Sequence, residues 1–188
     1  MKKNIFIIAI IALILSSCDS NKTKILKIRG LYSLEIPEFL SETNDLNDYA
    51  SLQYKNQLRE FYVVVIHEPK NEFQETLVNN GLEEHYTSDL NDYTELAWVG
   101  LETSLSFDSK PKIKSLEINN LDAQVMDITG TTEGVSIYWK FACIEGRNNY
   151  YQVVVWTLVD RREKYQPAID AIIDSFIETD KSKKIDFR

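Results

Sequence analysis

The sequence predicts an α+β domain in which an antiparallel sheet lies sandwiched between helices. Three observations carry this. Residues 60–67 (EFYVVVIH) and 150–159 are apolar at odd and even positions alike, so both faces of those strands must be covered. Strand-like stretches in the second half follow one another through short turn signals, at Asn119-Asn120, 130–134 and 145–149, as in antiparallel hairpins. Between and after them lie segments with helical apolar spacing, which supply the covering layers.

Residues 24–36 form the first strand region, with Gly30 dividing it and Pro37 ending it. Residues 38–47 are a polar connection. A short strand at 51–55 leads through an Asn56-Gln57 turn into the strand at 60–67, which Pro69 stops. Residues 71–80 read as a short helix with Phe73 and Leu77 on one side and Gly81 past its end. Ser88 or Asp89 caps a longer helix over 90–107, where Tyr93, Leu96, Ala97, Leu101 and Leu105 hold helical spacing. A meander follows, with strands at 113–118, 121–129, 135–143 and 150–159. Val135, Ile137, Trp139, Phe141 and Cys143 share one face of the third. In the fourth, Tyr151, Val153, Val155 and Val159 oppose Val154, Trp156 and Leu158. The last helix is amphipathic through Tyr165, Ile169, Ile172, Ile173 and Phe176. Pro167 is costly inside a helix, so the regular helix is placed from about Tyr165 onward, after a turn at 161–164.

The chain resembles the PsbP-like superfamily, which takes in the extrinsic photosystem subunit and bacterial DcrB-like lipoproteins. The resemblance rests on an opening strand that runs into Ile-Pro (Tyr32-Ser33-Leu34-Glu35-Ile36-Pro37) and on a short strand followed by a long apolar one. It rests further on the meander after the helices and on the closing Ile172-Ile173-Asp174-Ser175-Phe176. It implies a sheet of about six antiparallel strands between helical layers, over residues 25–178. It also implies a module that binds, stabilises or chaperones other proteins more often than it catalyses. No partner or metal site of the photosystem member matches residue by residue.

Residues 1–17 read as an export leader. Lys2 and Lys3 give a positive start, and the uncharged run from Ile5 to Leu15 makes about 16 Å of helix. That is too short for a bilayer core of about 30 Å and fits a signal-peptide core. Leu15-Ser16-Ser17-Cys18 resembles the bacterial lipobox, which implies cleavage before Cys18 and acylation of its thiol, with palmitate among the implied chains. The alternative is an ordinary signal peptide with an incidental cysteine. On the lipobox reading, residues 18–24 are a short tether, 25–178 the domain and 179–188 a polar tail. The protein is then exported and held on a bacterial membrane of the cell envelope, inner or outer, through Cys18. Lys22, Lys24, Lys27 and Arg29 cluster near the tether in sequence and favour anionic headgroups weakly.

The net charge of -8 argues against nucleic acid, whose phosphates need a basic face. The chain has two cysteines, and if Cys18 carries lipid, Cys143 has no intrachain partner; its place in an apolar alternation predicts a buried, inert thiol. Its two histidines, His67 and His85, are few for a zinc site, so no metal and no cofactor are expected. No serine sits in a nucleophile-elbow context, and no glycine-rich phosphate loop is present, so no catalytic residue is assigned. Tyr54, Tyr62, Trp98, Tyr138, Trp139, Tyr151 and Trp156 fall on or beside the central elements. They are either core or, in part, the lining of a cleft between sheet and helices. The sequence therefore points to a non-catalytic binding or assembly module acting on a protein of the envelope. A carrier of a lipid or other hydrophobic small molecule is the alternative, and a hydrolase the remotest one.

Overall fold

Two Asn-rich or Gly-containing turns set the register of the sheet. Asn119 and Asn120 both take positive φ (48° and 66°), as do Glu133 and Gly134 (53° and 79°). Two consecutive left-handed residues make the tight hairpin whose twist matches that of paired strands. These turns join β7 (Ile113–Ile118), β8 (Leu121–Thr132) and β9 (Val135–Glu145). A three-residue loop leads on to β10 (Asn149–Leu158). The computed structural model describes residues 22–102 and 106–184.

β10 then pairs with β5 (Phe61–Pro69), and β5 with β4 (Ala50–Asn56), all antiparallel. The two-residue strands β3 (Ser41–Glu42) and β6 (Ser106–Phe107) extend the sheet beside β4 and β8. Six long strands thus form the body of one antiparallel sheet, as the sequence led us to expect. The N-terminal region departs from a single sheet. β1 (Thr23–Ile28) and β2 (Tyr32–Pro37) form a hairpin about Gly30, and with β11 (Ile177–Glu178) they make a separate three-stranded sheet.

Helices cover both faces. α1 (Lys70–Asn79) and α2 (Leu90–Glu102) lie on one side, and α3 (Arg162–Asp174) with the small sheet lies on the other. The α3 side packs Ile169, Ile172 and Ile173 onto Val63, Val153 and Val155, with Phe176 stacked on Tyr32 at 5.2 Å. The opposite side packs Phe73, Tyr93 and Trp98 onto Met126, Phe141 and Tyr150, with Tyr93 and Tyr150 stacked at 4.2 Å. This is the α+β sandwich, with strands covered on both faces.

Local capping follows the sequence closely. The Asp92 N–H donates to the Asp89 carboxylate at 3.0 Å, which makes Asp89 the cap of α2. Past α1, Gly81 takes φ 67° and the Leu82 N–H closes back onto the Leu77 carbonyl. Two helix ends differ from expectation. α2 is described as far as Glu102 and does not reach Phe107, because Ser106 and Phe107 pair with Thr131 and Gly130. α3 begins at Arg162, ahead of Pro167. The N–H that Pro167 lacks would have bonded the carbonyl of Glu163, an exposed residue. Val159 lies in a 3₁₀ turn (Val159–Arg161) beyond the end of β10 rather than on the strand.

Candidate functional site

Cross-strand register decides which aromatic side chains meet. Tyr62 lies opposite Trp156, Trp156 opposite Trp139, and Trp139 opposite Ile128. Residues directly opposite point to the same face, so these side chains form one row across β5, β10, β9 and β8. Lys55 of β4 extends the row beyond Tyr62, with its ammonium held by Asp45 at 2.5 Å. The row lies on the α1–α2 side. Tyr62 and Trp156 stack at 5.1 Å with planes 8° apart, and Trp139 meets Phe107 edge-on at 5.7 Å.

The helices leave part of this row bare. α1 starts directly after Pro69, so it covers the far end of β5 and not the Tyr62 end. α2 covers β8 and β9, with Trp98 buried beneath it. Tyr62 and Trp156 lie outside both apolar cores and are half-buried. A small apolar pocket of about 70 Å³ opens beside them, lined by Leu101, Phe107, Ile128, Trp139, Val154 and Trp156 among others. The Tyr62 hydroxyl donates to Glu60 at 2.7 Å. Burial, followed by that bond and the charge of Glu60, pushes the phenol up to about 12. Tyr62, Trp156 and Trp139 thus form a neutral aromatic surface, bordered by the Lys55–Asp45 pair and Glu60, that can accept apolar chain by contact and stacking.

Of the seven aromatic residues singled out from the sequence, Tyr62, Trp139 and Trp156 come together in this row. Tyr54 lies opposite Val63 and packs on the α3 side. Tyr138 and Tyr151 are fully buried there too. Trp98 is core. Phe107 and Leu101 complete the pocket and were missed as site residues, because the sequence ran both into one long helix. The signal that identifies the row is strand parity combined with register.

The remaining sequence candidates fall elsewhere. Cys18 and the leader lie outside the described residues, as do positions 185–188 of the tail. Cys143 is fully buried beneath α2, and burial pushes its thiol up to about 12. His67 stands at the end of β5 with its Nδ1 buried and unpartnered, while His85 is exposed in the loop before α2. Among the described residues, no three His, Cys, Asp or Glu side chains gather as a metal group, and no helix is long and apolar enough to cross a membrane.

Comparison with known proteins identifies the fold. The PsbP protein of the cyanobacterium Synechocystis sp. PCC 6803 superposes with a TM-score of 0.57 at 11% identity, covering 87% of this chain and 98% of that one. LpqN, involved in cell envelope biogenesis of Mycobacterium tuberculosis, superposes at 0.51 and 11% identity, covering 84% and 91%. A protein of Bacteroides thetaiotaomicron VPI-5482 superposes at 0.51 and 10% identity, covering 81% of this chain and 46% of that one. No family model and no curated protein matches the chain. The fold is PsbP-like.

Proposed function

We propose that this chain is a lipid-anchored, non-catalytic module of the cell envelope that binds an apolar segment of a protein partner. The observation that carries this reading is the row of Tyr62, Trp156 and Trp139, in which Tyr62 and Trp156 lie half-buried outside both apolar cores. Aromatic side chains packed in a row gain from being covered, and here the protein's own helices stop short of Tyr62 and Trp156. The likeness in fold to LpqN, a protein of envelope biogenesis, supports the setting. The lipobox-like Leu15-Ser16-Ser17-Cys18 supports the anchor.

The carrier alternative needs an enclosed apolar cavity. Small-molecule sites occupy about 300–1,000 Å³. The apolar pocket at the row, about 70 Å³, is far smaller, so the row is a contact surface rather than an enclosed site. Trp156→Ser in the full-length protein tests the reading, because Trp156 supports neither core. The variant is expected to keep its thermal midpoint within a few degrees and to lose the partner that wild type retains through detergent extraction. Equal partner recovery by a folded Trp156→Ser protein would remove the row from the account.

A further inference from the structure

The chain enters the domain at Lys22, and the residues around Lys22 form one end of the molecule. The Glu38 N–H donates to the Lys22 carbonyl at 2.9 Å, and the Lys24 ammonium to the Leu40 carbonyl at 2.7 Å. Between these contacts lies Phe39, whose carbonyl accepts from the Asn56 amide at 2.8 Å and whose ring carries the Arg59 guanidinium at 4.3 Å. Arg59 belongs to the 3₁₀ turn Gln57–Arg59, and the Leu58 carbonyl in that turn accepts from Arg161 at 3.1 Å. Lys22, the 57–59 turn and the 159–161 turn therefore lie side by side.

This end carries apolar side chains that serve no core. Leu58 is 93% exposed at the tip of its turn, and Val159 is 39% exposed in the neighbouring one. A lone exposed leucine needs no explanation in itself. Its position beside the tether gives it one. Cys18 lies four residues before Lys22, so the chain between them spans at most about 14 Å. β10 alone is ten residues, or about 33 Å, long. A tether that short keeps the Lys22 end within about 14 Å of the bilayer surface, so the domain cannot stand on its far end.

We infer that the Leu58 turn, with Val159 beside it, rests in the headgroup layer of the membrane that carries the anchor. This rests on the lipid anchor of the reading above and adds an orientation to it. Lys22, Lys24, Arg59 and Arg161 lie at this end, together with Glu38, Glu60 and Asp160. Both signs are present with a small basic excess, so anionic headgroups add only weakly to the contact that the leucine makes. Lys27 and Arg29, close to the tether in sequence, are carried to the opposite end by β1. There the Leu31 carbonyl meets Tyr151, opposite His67 at the far end of β5. The Tyr62–Trp156 pair of the aromatic row lies one residue pair inside the membrane end, since Thr157 and Phe61 are the last paired residues there. The bound partner segment is thereby placed close to the lipid surface.

Site-directed spin labelling of the full-length, acylated protein tests this. Single labels are placed by Leu58→Cys or Arg29→Cys in vesicles of phosphatidylethanolamine and phosphatidylglycerol. Buried Cys143 stays unlabelled and Cys18 is blocked by its own lipid. The label at 58 is expected to collide with oxygen in preference to a water-soluble nickel chelate, and the label at 29 to show the reverse. An acylated protein with both labels equally open to nickel would overturn the orientation and leave the anchor standing. A protein that mass analysis shows to be unacylated, and that stays off the vesicles, would overturn both.

Discussion

Phe176 closes the core on the α3 side. It is fully buried, stacks on Tyr32 and sits 4.9 Å from the Tyr151 ring. Truncation there removes a ring from a site walled by two other rings, which cannot collapse to fill it. Phe176→Ala is expected to cost about 3–5 kcal/mol, measured by urea denaturation with an unchanged slope. A loss below about 1 kcal/mol would mean that the C-terminal segment contributes little to the core. Phe176 and Cys143 were legible as buried residues because each sits at an apolar position of a regular pattern. The reach of Glu178 was not. Its carboxylate accepts from the Arg147 N–H at 2.9 and 3.0 Å and from Tyr151 at 3.1 Å, and it occupies the space a side chain at Gly146 would need. These residues are far apart in sequence, and no local pattern brings them together.

At the scale of elements, the sequence was readable wherever period and turn chemistry agreed. The meander strands, α1 and its Gly81 terminus, and the Asp89 cap follow from alternation, helical spacing and Asn or Gly turns. Boundaries failed where tertiary pairing overrode local spacing. Leu101 and Leu105 keep the helical interval, yet Ser106 and Phe107 join the edge of β8. That joining depends on Gly130, whose added Cβ would run into the Ser106 carbonyl and lie 3.1 Å from Phe107. Gly130→Ala is therefore expected to detach β6 without unfolding the sheet. Hydrogen exchange should accelerate at the Asp108 amide, which now donates to the Thr129 carbonyl at 3.0 Å, and stay unchanged at the β9–β10 amides. Unaltered protection at Asp108 would show that the edge tolerates a methyl group. The same loss would uncover Phe107 and Trp139, so β6 is also what frames the aromatic row.

At the scale of the whole molecule, two sets of carboxylates pull stability in opposite directions with pH. Burial alone would raise Asp127, but hydrogen bonds from Tyr138 and Lys114 outweigh it and hold the carboxyl below the usual range. Asp45 and Asp180 are also lowered, chiefly by bonds from Lys55 and Ser182. The stability these three contribute is present above the unfolded range near pH 4 and is lost as pH falls through their folded values. Glu68 and Glu178 are raised by burial. Their folded forms take up protons first, so they favour folding below the unfolded range and oppose it as pH rises through their folded values. The net charge of -8 adds repulsion at neutral pH. The thermal midpoint is expected to rise from pH 7 to about pH 5 and to fall below about pH 4, with Glu178→Gln flattening the rise. A midpoint that declines steadily from pH 7 would contradict this balance.

The sandwich itself was legible because doubly apolar strands demand two covering layers. The row of Tyr62, Trp156 and Trp139 was legible only as a set of candidates. Which aromatic residues share a face depends on register between strands nearly a hundred residues apart. Photo-crosslinking in living cells tests the binding claim most directly, with p-benzoylphenylalanine at Tyr62 and, as a control, at Tyr49, which is 84% exposed away from the row. A discrete protein adduct at 62, absent at 49 and abolished by Trp156→Ser, is the predicted result. Adducts equal at both positions, or no protein adduct at 62, would contradict the account.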